Sequence, residues 1–336
     1  MIEKKWWGDY EKIKFPHIVA SQQFERQQLE TLFKLTAKIE DVLEKERMVN
    51  WLYGNIVTLM FWQPSTRTFS SFAAASVRLG ASIIPILDAG KFSSHAKGES
   101  LQDTAIVMSG RWKSDLIVVR HPEIGSARSM AKYSRCPLFN GGDGPGQHPT
   151  QALLDLYTIQ KEYGKIDGLK IAMVGDLLYS RTVRSLCYLL SKFDGVKIFF
   201  VSPESIRMKD DIKEHLTENK IDWKECTDLK EVAPKVSVIY QTRIQKEYFS
   251  DIKEYEEVRG IYIINNNIIK LLKDDGIIMH PLPRIDEIAY EVDKSPNARY
   301  FEQADNGDVV RMALLLVALN PTKAEELMAM PLDKAA

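Results

Sequence analysis

Residues 56–79 read IVTLMFWQPSTRTFSSFAAASVRL: a continuous apolar run, a polar turn, then a stretch rich in small residues at helical spacing. The run Ile56–Trp62 lacks the polar alternation of a strand with one wet face, and it is short for a helix. It reads as a strand buried on both sides. Pro64 ends it, and a helix is expected over Ser65–Leu79, since a serine hydroxyl can satisfy the free N–H groups at a helix start. A doubly buried strand running straight into a helix is the opening of a βαβ unit.

The same unit recurs on both sides. Further apolar runs at Ser82–Leu87, Asp115–Val119 and Pro137–Phe139 predict strands, and a second set follows at Lys170–Val174, Val196–Val201, Val236–Tyr240 and Gly276–Met279. Helical stretches lie between them at Ser100–Gly110, Pro149–Tyr163 and Ser180–Lys192, and the apolar helix Asn306–Leu319 closes the chain. Alternation of this kind predicts an α/β fold: two doubly wound parallel-sheet domains, with the active site in the cleft between them. The expected division puts 1–147 in one domain, joined by C-terminal helices in 304–336, and 148–303 in the other. The Gly/Pro-rich stretch Asn140–Pro149 marks the break.

Composition narrows the class. The 336 residues suit about two domains at roughly 150 residues each. A formal net charge of −1 gives no bulk attraction for nucleic acid. No apolar run is long enough to span a membrane, and the acidic residues of MIEKKWWGDYEKIKF do not fit a signal peptide. The three cysteines, Cys136, Cys187 and Cys226, are scattered and form no disulfide framework or zinc pattern, so a cytoplasmic, reducing setting is expected.

Ligands of open α/β sheets bind at strand carboxyl ends. These ends carry Gln63-Pro64-Ser65-Thr66-Arg67-Thr68, Arg120-His121-Pro122, Gly141-Gly142-Asp143 running to His148-Pro149-Thr150-Gln151, Gly175-Asp176 with Arg181, Thr242-Arg243-Ile244-Gln245, and His280-Pro281-Leu282-Pro283-Arg284. Arginines and histidines gathered at such ends suit a small polyanion. Each piece also has a structural reading. Ser65–Thr68 reads equally as a helix cap or as a phosphate site built from free N–H groups, hydroxyls and an arginine. Arg120 alone reads as an ion-pair residue, His148 as a helix cap, and His121 and His280 as turn residues. Arg181 alone suits a pair with Asp176, and Arg243 a pair with Glu247. Gly141–Gly146 is a poor dinucleotide loop because Pro145 interrupts it, and no ligand cluster suggests a metal.

Taken together, PSTRT (64–68), KGESLQDT (97–104), VVRHP (118–122), GDG with HPTQALLD (142–155), VGDL with RTV (174–183), TRIQKE (242–247), HPLPR (280–284) and NG with VRMALL (306–315) resemble the transcarbamoylase family over about Ser21–Leu319. The last motifs point to its aspartate branch. Ornithine enzymes have cysteine at the position of Pro281 and lack the Arg243/Gln245 pair. The resemblance implies carbamoyl transfer from carbamoyl phosphate to L-aspartate, with no cofactor and no metal. It assigns phosphate to Ser65, Thr66, Arg67 and Thr68, with Arg120 assisting. It gives the carbonyl oxygen to Thr68, Arg120 and His148, and the carbamoyl amide to Gln151. Arg181, Arg243 and Gln245 would hold the aspartate carboxylates, and Pro281 and Leu282 would present backbone carbonyls to the amines. Ser93 and Lys97 match a loop that reaches in from a neighbouring subunit, which implies a homotrimer with shared sites. A regulatory chain is possible but not indicated.

Two departures stand out. The family pattern has glutamate where this chain has Gln63 and arginine where it has Tyr248, charges that in the family help to hold the domains closed. Leu178, Ser180 and Arg184 also replace the usual lysine, glycine and histidine around Arg181. Loss of both charges strands neither partner, which reads as a substituted contact rather than a dead enzyme. The readings left open are an aspartate carbamoyltransferase, a transcarbamoylase for another amino acid acceptor, and a non-catalytic regulatory paralog.

Overall fold

The computed structural model describes residues 16–92, 98–249 and 251–330, and the N-terminal stretch read above for targeting lies outside them. The chain divides into two compact units. One runs through Tyr157 and resumes at Asn306, and the other is Thr158–Asp305. Each unit contains its own sheet, parallel throughout.

In the first unit β1 (Ile56–Phe61), β2 (Ser82–Ile86), β3 (Leu116–His121) and β4 (Leu138–Asp143) lie in the order β2-β1-β3-β4. Val57 of β1 faces Ile83 on one side and Leu116 on the other. The winding therefore reverses between β1 and β3, where crossover helices leave the strand ends uncovered. Gln63–Thr68 follows one of these strands, and Arg120 and His121 end the other. The core beneath joins Met60, Ile117, Val119 and Leu138 to Ala127 and Met130 of the helix Ser126–Ala131.

The second unit orders its strands β7-β6-β5-β8-β9: β5 (Lys170–Val174), β6 (Lys197–Val201), β7 (Asp222–Cys226), β8 (Val238–Gln241) and β9 (Ile277–Met279). Its winding reverses between β5 and β8, and the ends there are Gly175-Asp176 and Thr242–Gln245. Gly175 has φ +105°, and a Cβ placed on it would lie 2.5 Å from the Thr242 carbonyl oxygen. Only glycine permits so close an approach of the two strand ends. The core packs Ala172, Val174, Val201, Ile239 and Ile278 against Tyr262, Ile264, Val292 and Tyr300.

Most expected elements recur with ends shifted by a residue or two; β4 and the closing helix are longer than expected, and β7 and the helix Arg26–Lys45 are additional. β4 runs on through Asp143, where a turn was expected, because Asn140 donates from Nδ2 to the Val19 carbonyl (3.1 Å) and bonds back to the Gly142 N–H (2.8 Å). The break expected at 147/148 therefore does not fall in that stretch. The helix Pro149–Tyr163 crosses the division instead: Tyr157 donates to Glu40 (3.2 Å) in the first unit, and Tyr163 donates to the Ser237 and Asp275 carbonyls in the second. β7 has the polar sequence DWKEC, which shows no apolar run because it lies at a sheet edge. The helix Arg26–Lys45 adds to the first unit, burying Leu29, Leu32, Phe33, Thr36 and Ile39 on one face.

The closing helix spans Tyr300–Leu319, and its apolar Val310–Ala318 stretch is buried on every face. Arg311 sits inside that stretch. Its Nη1 donates to Ser71 Oγ (2.7 Å), and its guanidinium lies 5.1 Å from the centre of the Phe72 ring. Burial pulls its pKa down to about 10, so it remains a buried cation at neutral pH, clamping the helix Thr66–Arg78 from behind.

At the edge of the first sheet His17 is buried and its Nδ1 accepts from the Leu138 N–H (3.1 Å). Burial lowers its pKa to about 4. Between the unfolded value near 6.5 and about 4 the unfolded chain binds the proton and the folded chain does not, so stability falls as pH falls through that window. At pH 5 the loss relative to pH 7 is about 2 kcal/mol. Urea unfolding of wild type and His17→Asn at the two pH values tests this; an equal pH dependence in both would remove His17 as the cause. In the second unit, Gly175→Ala should cost about 3 kcal/mol through the combined φ and contact strain. A loss below about 1 kcal/mol in the same measurement would mean that the strand ends can part.

Candidate active site

The first group of side chains gathers at the β1/β3 reversal. Ser65 precedes the helix Thr66–Arg78 in extended conformation, and its side chain makes no capping bond to the first turn. The helix N-terminus is thus left with N–H groups and the positive end of its dipole to offer an anion. Arg67 projects at the surface of that first turn. Desolvation draws its pKa below the ordinary value, yet an arginine stays charged at neutral pH. Thr68 turns inward, and its Oγ1 lies 3.3 Å from His148 Nε2, both residues being buried.

His148 reaches that position because it precedes the helix Pro149–Tyr163. Its carbonyl accepts from the Gln151 (3.0 Å) and Ala152 (3.1 Å) N–H groups, with Pro149 at the first helical position. So its backbone caps the helix while its ring meets Thr68, and the two roles coexist. Gln151 commits its NH2 to Asp155 Oδ1 (2.8 Å), which leaves the amide oxygen as its acceptor end. Arg120 donates from Nη1 to the Gly141 carbonyl (3.0 Å), which fixes the guanidinium at the end of β3. Gly141 itself would bring a Cβ within 3.2 Å of the Val119 carbonyl and 3.6 Å of Thr68 Cγ2. Asp143 organises the loops around His148, accepting from Gly125 N–H (2.7 Å) and Gln147 N–H (2.7 Å). His121 is a turn residue: its Nδ1 accepts from Glu123 N–H (3.1 Å), and its ring meets Trp62 edge-on.

A second group gathers at the β5/β8 reversal and the end of β9. Arg181 opens the helix Arg181–Leu190 behind Ser180, whose side chain also leaves that helix end uncapped. Asp176, fully buried, accepts from Tyr179 N–H (2.9 Å) and from the backbone N–H and side-chain amide of Gln245 (3.4 Å each). Burial dominates its titration and raises the carboxyl pKa against the effect of those hydrogen bonds. Asp176 therefore serves as the buried anchor of Gln245, where the sequence suggested a pair with Arg181. Arg243 follows Thr242, whose backbone and hydroxyl both bond to the Val174 carbonyl. Glu247, its expected neighbour in a pair, has a side chain outside the described set.

Pro281 and Leu282 follow β9. His280 Nδ1 accepts from Leu282 N–H (2.7 Å), so the ring proton belongs on Nε2, which donates to Glu287 Oε1 (2.8 Å). Glu287 Oε2 accepts from the Ile285 and Asp286 N–H groups. Burial tends to raise the Glu287 pKa, but His280 and these N–H groups outweigh it and hold the carboxyl below its usual range. The pair holds Leu282 at φ +53°, a conformation rare outside glycine, with its backbone turned at the strand end. Glu287 carried no spacing signal in the sequence, whereas Asp155 stands one helical turn after Gln151, a signal that the sequence reading passed over. Ser93 and Lys97 lie outside the described residues. Among the described residues no cluster of histidine, cysteine, aspartate and glutamate could hold a metal ion.

Comparison with known proteins shows what family the two domains belong to. Residues 16–161 match the carbamoyl-P binding domain of the aspartate/ornithine carbamoyltransferases, and residues 167–318 match their Asp/Orn binding domain. A chloroplastic aspartate carbamoyltransferase of Pisum sativum is 48% identical over 310 residues, 92% of this chain and 80% of that one. The aspartate carbamoyltransferase catalytic subunit of Methanocaldococcus jannaschii is 46% identical over 309 residues, covering 92% of this chain and 99% of its own length. Its solved structure superposes with a TM-score of 0.84 over 91% of this chain and 99% of that one. Aspartate transcarbamoylase of Trypanosoma cruzi, solved with carbamoyl phosphate and aspartate, is 36% identical, covers 90% of this chain and 96% of its own, and has a TM-score of 0.85. By sequence over both domains and by fold, the chain belongs to the aspartate/ornithine carbamoyltransferase family.

Proposed function

We propose that the chain transfers the carbamoyl group of carbamoyl phosphate to the amine of L-aspartate, giving N-carbamoyl-L-aspartate and phosphate. The observation that carries this reading is the division of labour between two winding reversals on one chain. One presents an uncapped helix N-terminus with Arg67, the Thr68–His148 pair and the anchored Arg120. The other presents Arg181, Arg243 and a Gln245 held by Asp176. The first set fits a phosphate with a polarisable carbonyl. The second offers two guanidinium groups, which suit a dicarboxylate such as aspartate and disfavour the cationic side chain of ornithine.

The chemistry asks little more of the protein. The amine attacks the carbonyl carbon, negative charge grows on the oxygen, and phosphate departs. Thr68, Arg120 and His148 supply the donors for that oxygen, and holding two anionic substrates together supplies much of the rest. Phosphate is a good leaving group, so no covalent enzyme intermediate is needed, and the departing group is itself a base for the amine proton. The proposal extends to a homotrimer whose Ser93 and Lys97 serve a neighbouring copy, supported by the KGESLQDT stretch (97–104). It also places the reaction in de novo pyrimidine synthesis and in the cytoplasm, although relatives from plants carry the word chloroplastic in their names.

The test is carbamoyl transfer by the purified chain with aspartate, ornithine and other amino acids offered as acceptors. Carbamoyl-aspartate formed with aspartate strongly preferred is the expected result. Binding of carbamoyl phosphate without transfer to any acceptor would favour a non-catalytic paralog instead. Arg67→Ala should lower kcat by about 10²-fold or more, the scale of one lost oxyanion or phosphate donor. Near-normal turnover in that variant would take Arg67 off the catalytic list.

A further inference from the structure

Tyr179 and Tyr248 lie on the two loops that carry the acceptor-binding side chains. Tyr179 stands just before Arg181 in the turn leaving β5. Tyr248 closes the 3₁₀ turn Lys246–Tyr248 directly after Gln245. Their rings stack, with centroids 4.9 Å apart and planes inclined by 16°. Phe249 meets Tyr179 edge-on at 6.5 Å and Tyr255 edge-on at 5.7 Å, which extends the contact to the helix Ile252–Val258. Asp176 binds the backbone of the same two loops through Tyr179 and Gln245. The loop of Arg181 and the loop of Arg243 are therefore joined twice, once by a buried carboxylate and once by a half-buried aromatic stack.

We propose that the Tyr179–Tyr248 stack is a positioning device for acceptor recognition. It fixes the loop of Arg181 against the loop of Arg243 and Gln245 before the dicarboxylate arrives. The inference rests on the carbamoyl-transfer reading above for its ligand, and on the ring geometry for its mechanism. Both rings are uncharged, so the tie between the two loops is a neutral one. An acceptor that must touch both loops binds in proportion to the fraction of molecules in which both are in place. An offset aromatic pair of this kind shifts such an equilibrium by about fivefold. Neither hydroxyl is required, so phenylalanine should serve as well as tyrosine.

The experiment compares wild type, Tyr248→Ala and Tyr248→Phe in the purified full chain. KM values for aspartate and carbamoyl phosphate, kcat, thermal midpoint and direct binding of succinate in the presence of phosphate are measured for each. Tyr248→Ala should raise the aspartate KM and the succinate Kd by about fivefold. The carbamoyl phosphate KM and the thermal midpoint should stay as in wild type, and Tyr248→Phe should restore the aspartate KM to within about twofold. An alanine variant with unchanged aspartate KM and succinate Kd overturns the proposal, as does a phenylalanine variant no better than alanine. If wild type transfers nothing to aspartate while succinate binding still weakens in the alanine variant alone, the reaction reading fails and the stack stands.

Discussion

All strands of a parallel sheet end on the same edge, and every crossover helix covers a face of the sheet, not that edge. Where the winding changes direction, neighbouring crossovers part and leave the strand ends open. In this chain that happens once in each sheet, between β1 and β3 and between β5 and β8. Ser65–Thr68, Arg120, Asp176 and Arg243–Gln245 stand within a few residues of those four strand ends, while His148 and Gln151 follow β4 and His280 and Leu282 follow β9. Helices that start there also bring their N-termini, so the topology alone supplies partial positive charge before any side chain is chosen. The arginines then add to a field that the backbone has already set.

That field has to be built without letting its own counter-charges neutralise it. Four carboxylates close to the two groups are committed to structure. Asp143 binds the N–H groups of Gly125 and Gln147, Asp155 binds the Gln151 amide, Asp176 gathers Tyr179 and Gln245, and Glu287 holds His280. Acids placed this way orient neutral donors, namely backbone N–H groups, side-chain amides and the His280 imidazole. For Asp176 the desolvation cost outweighs these bonds, while for Glu287 the imidazole and the N–H groups outweigh burial. The difference follows from the partners: Glu287 meets a histidine, which stabilises the anion more than amides do.

The fold was legible because its signal is repetitive. Buried strands such as β5 are apolar over Ile171–Val174, and small or polar residues, in several cases with a proline, mark the turns toward helices. β7 escaped because an edge strand with Asp222, Lys224 and Glu225 looks like loop composition. The position of the domain division escaped for another reason: glycines at 141, 142, 144 and 146 suggest a break, yet Gly141 and Gly142 are in a buried strand, where Gly141 is needed for close packing. Site residues were legible as strand-end arginines, histidines and hydroxyls. Their orienting partners were not: Asp176 is drawn to Gln245, 69 residues away, rather than to Arg181, and Glu287 meets His280 across an irregular turn.

Gln63 and Tyr248 show how a departure from a family pattern is better understood through geometry than through charge alone. In sequence terms each is the loss of an ion. In the structure Tyr248 gains a partner that lies in its own unit, Tyr179, on the loop that bears Arg181. A salt bridge between long exposed side chains contributes little and weakens with salt. A half-buried ring pair loses less side-chain entropy and is insensitive to ionic strength. A restraint made by the stack would therefore be independent of salt and act between the loop of Arg181 and the loop of Arg243. On this view the proposed stack would keep the two loops in order without a charge at position 248.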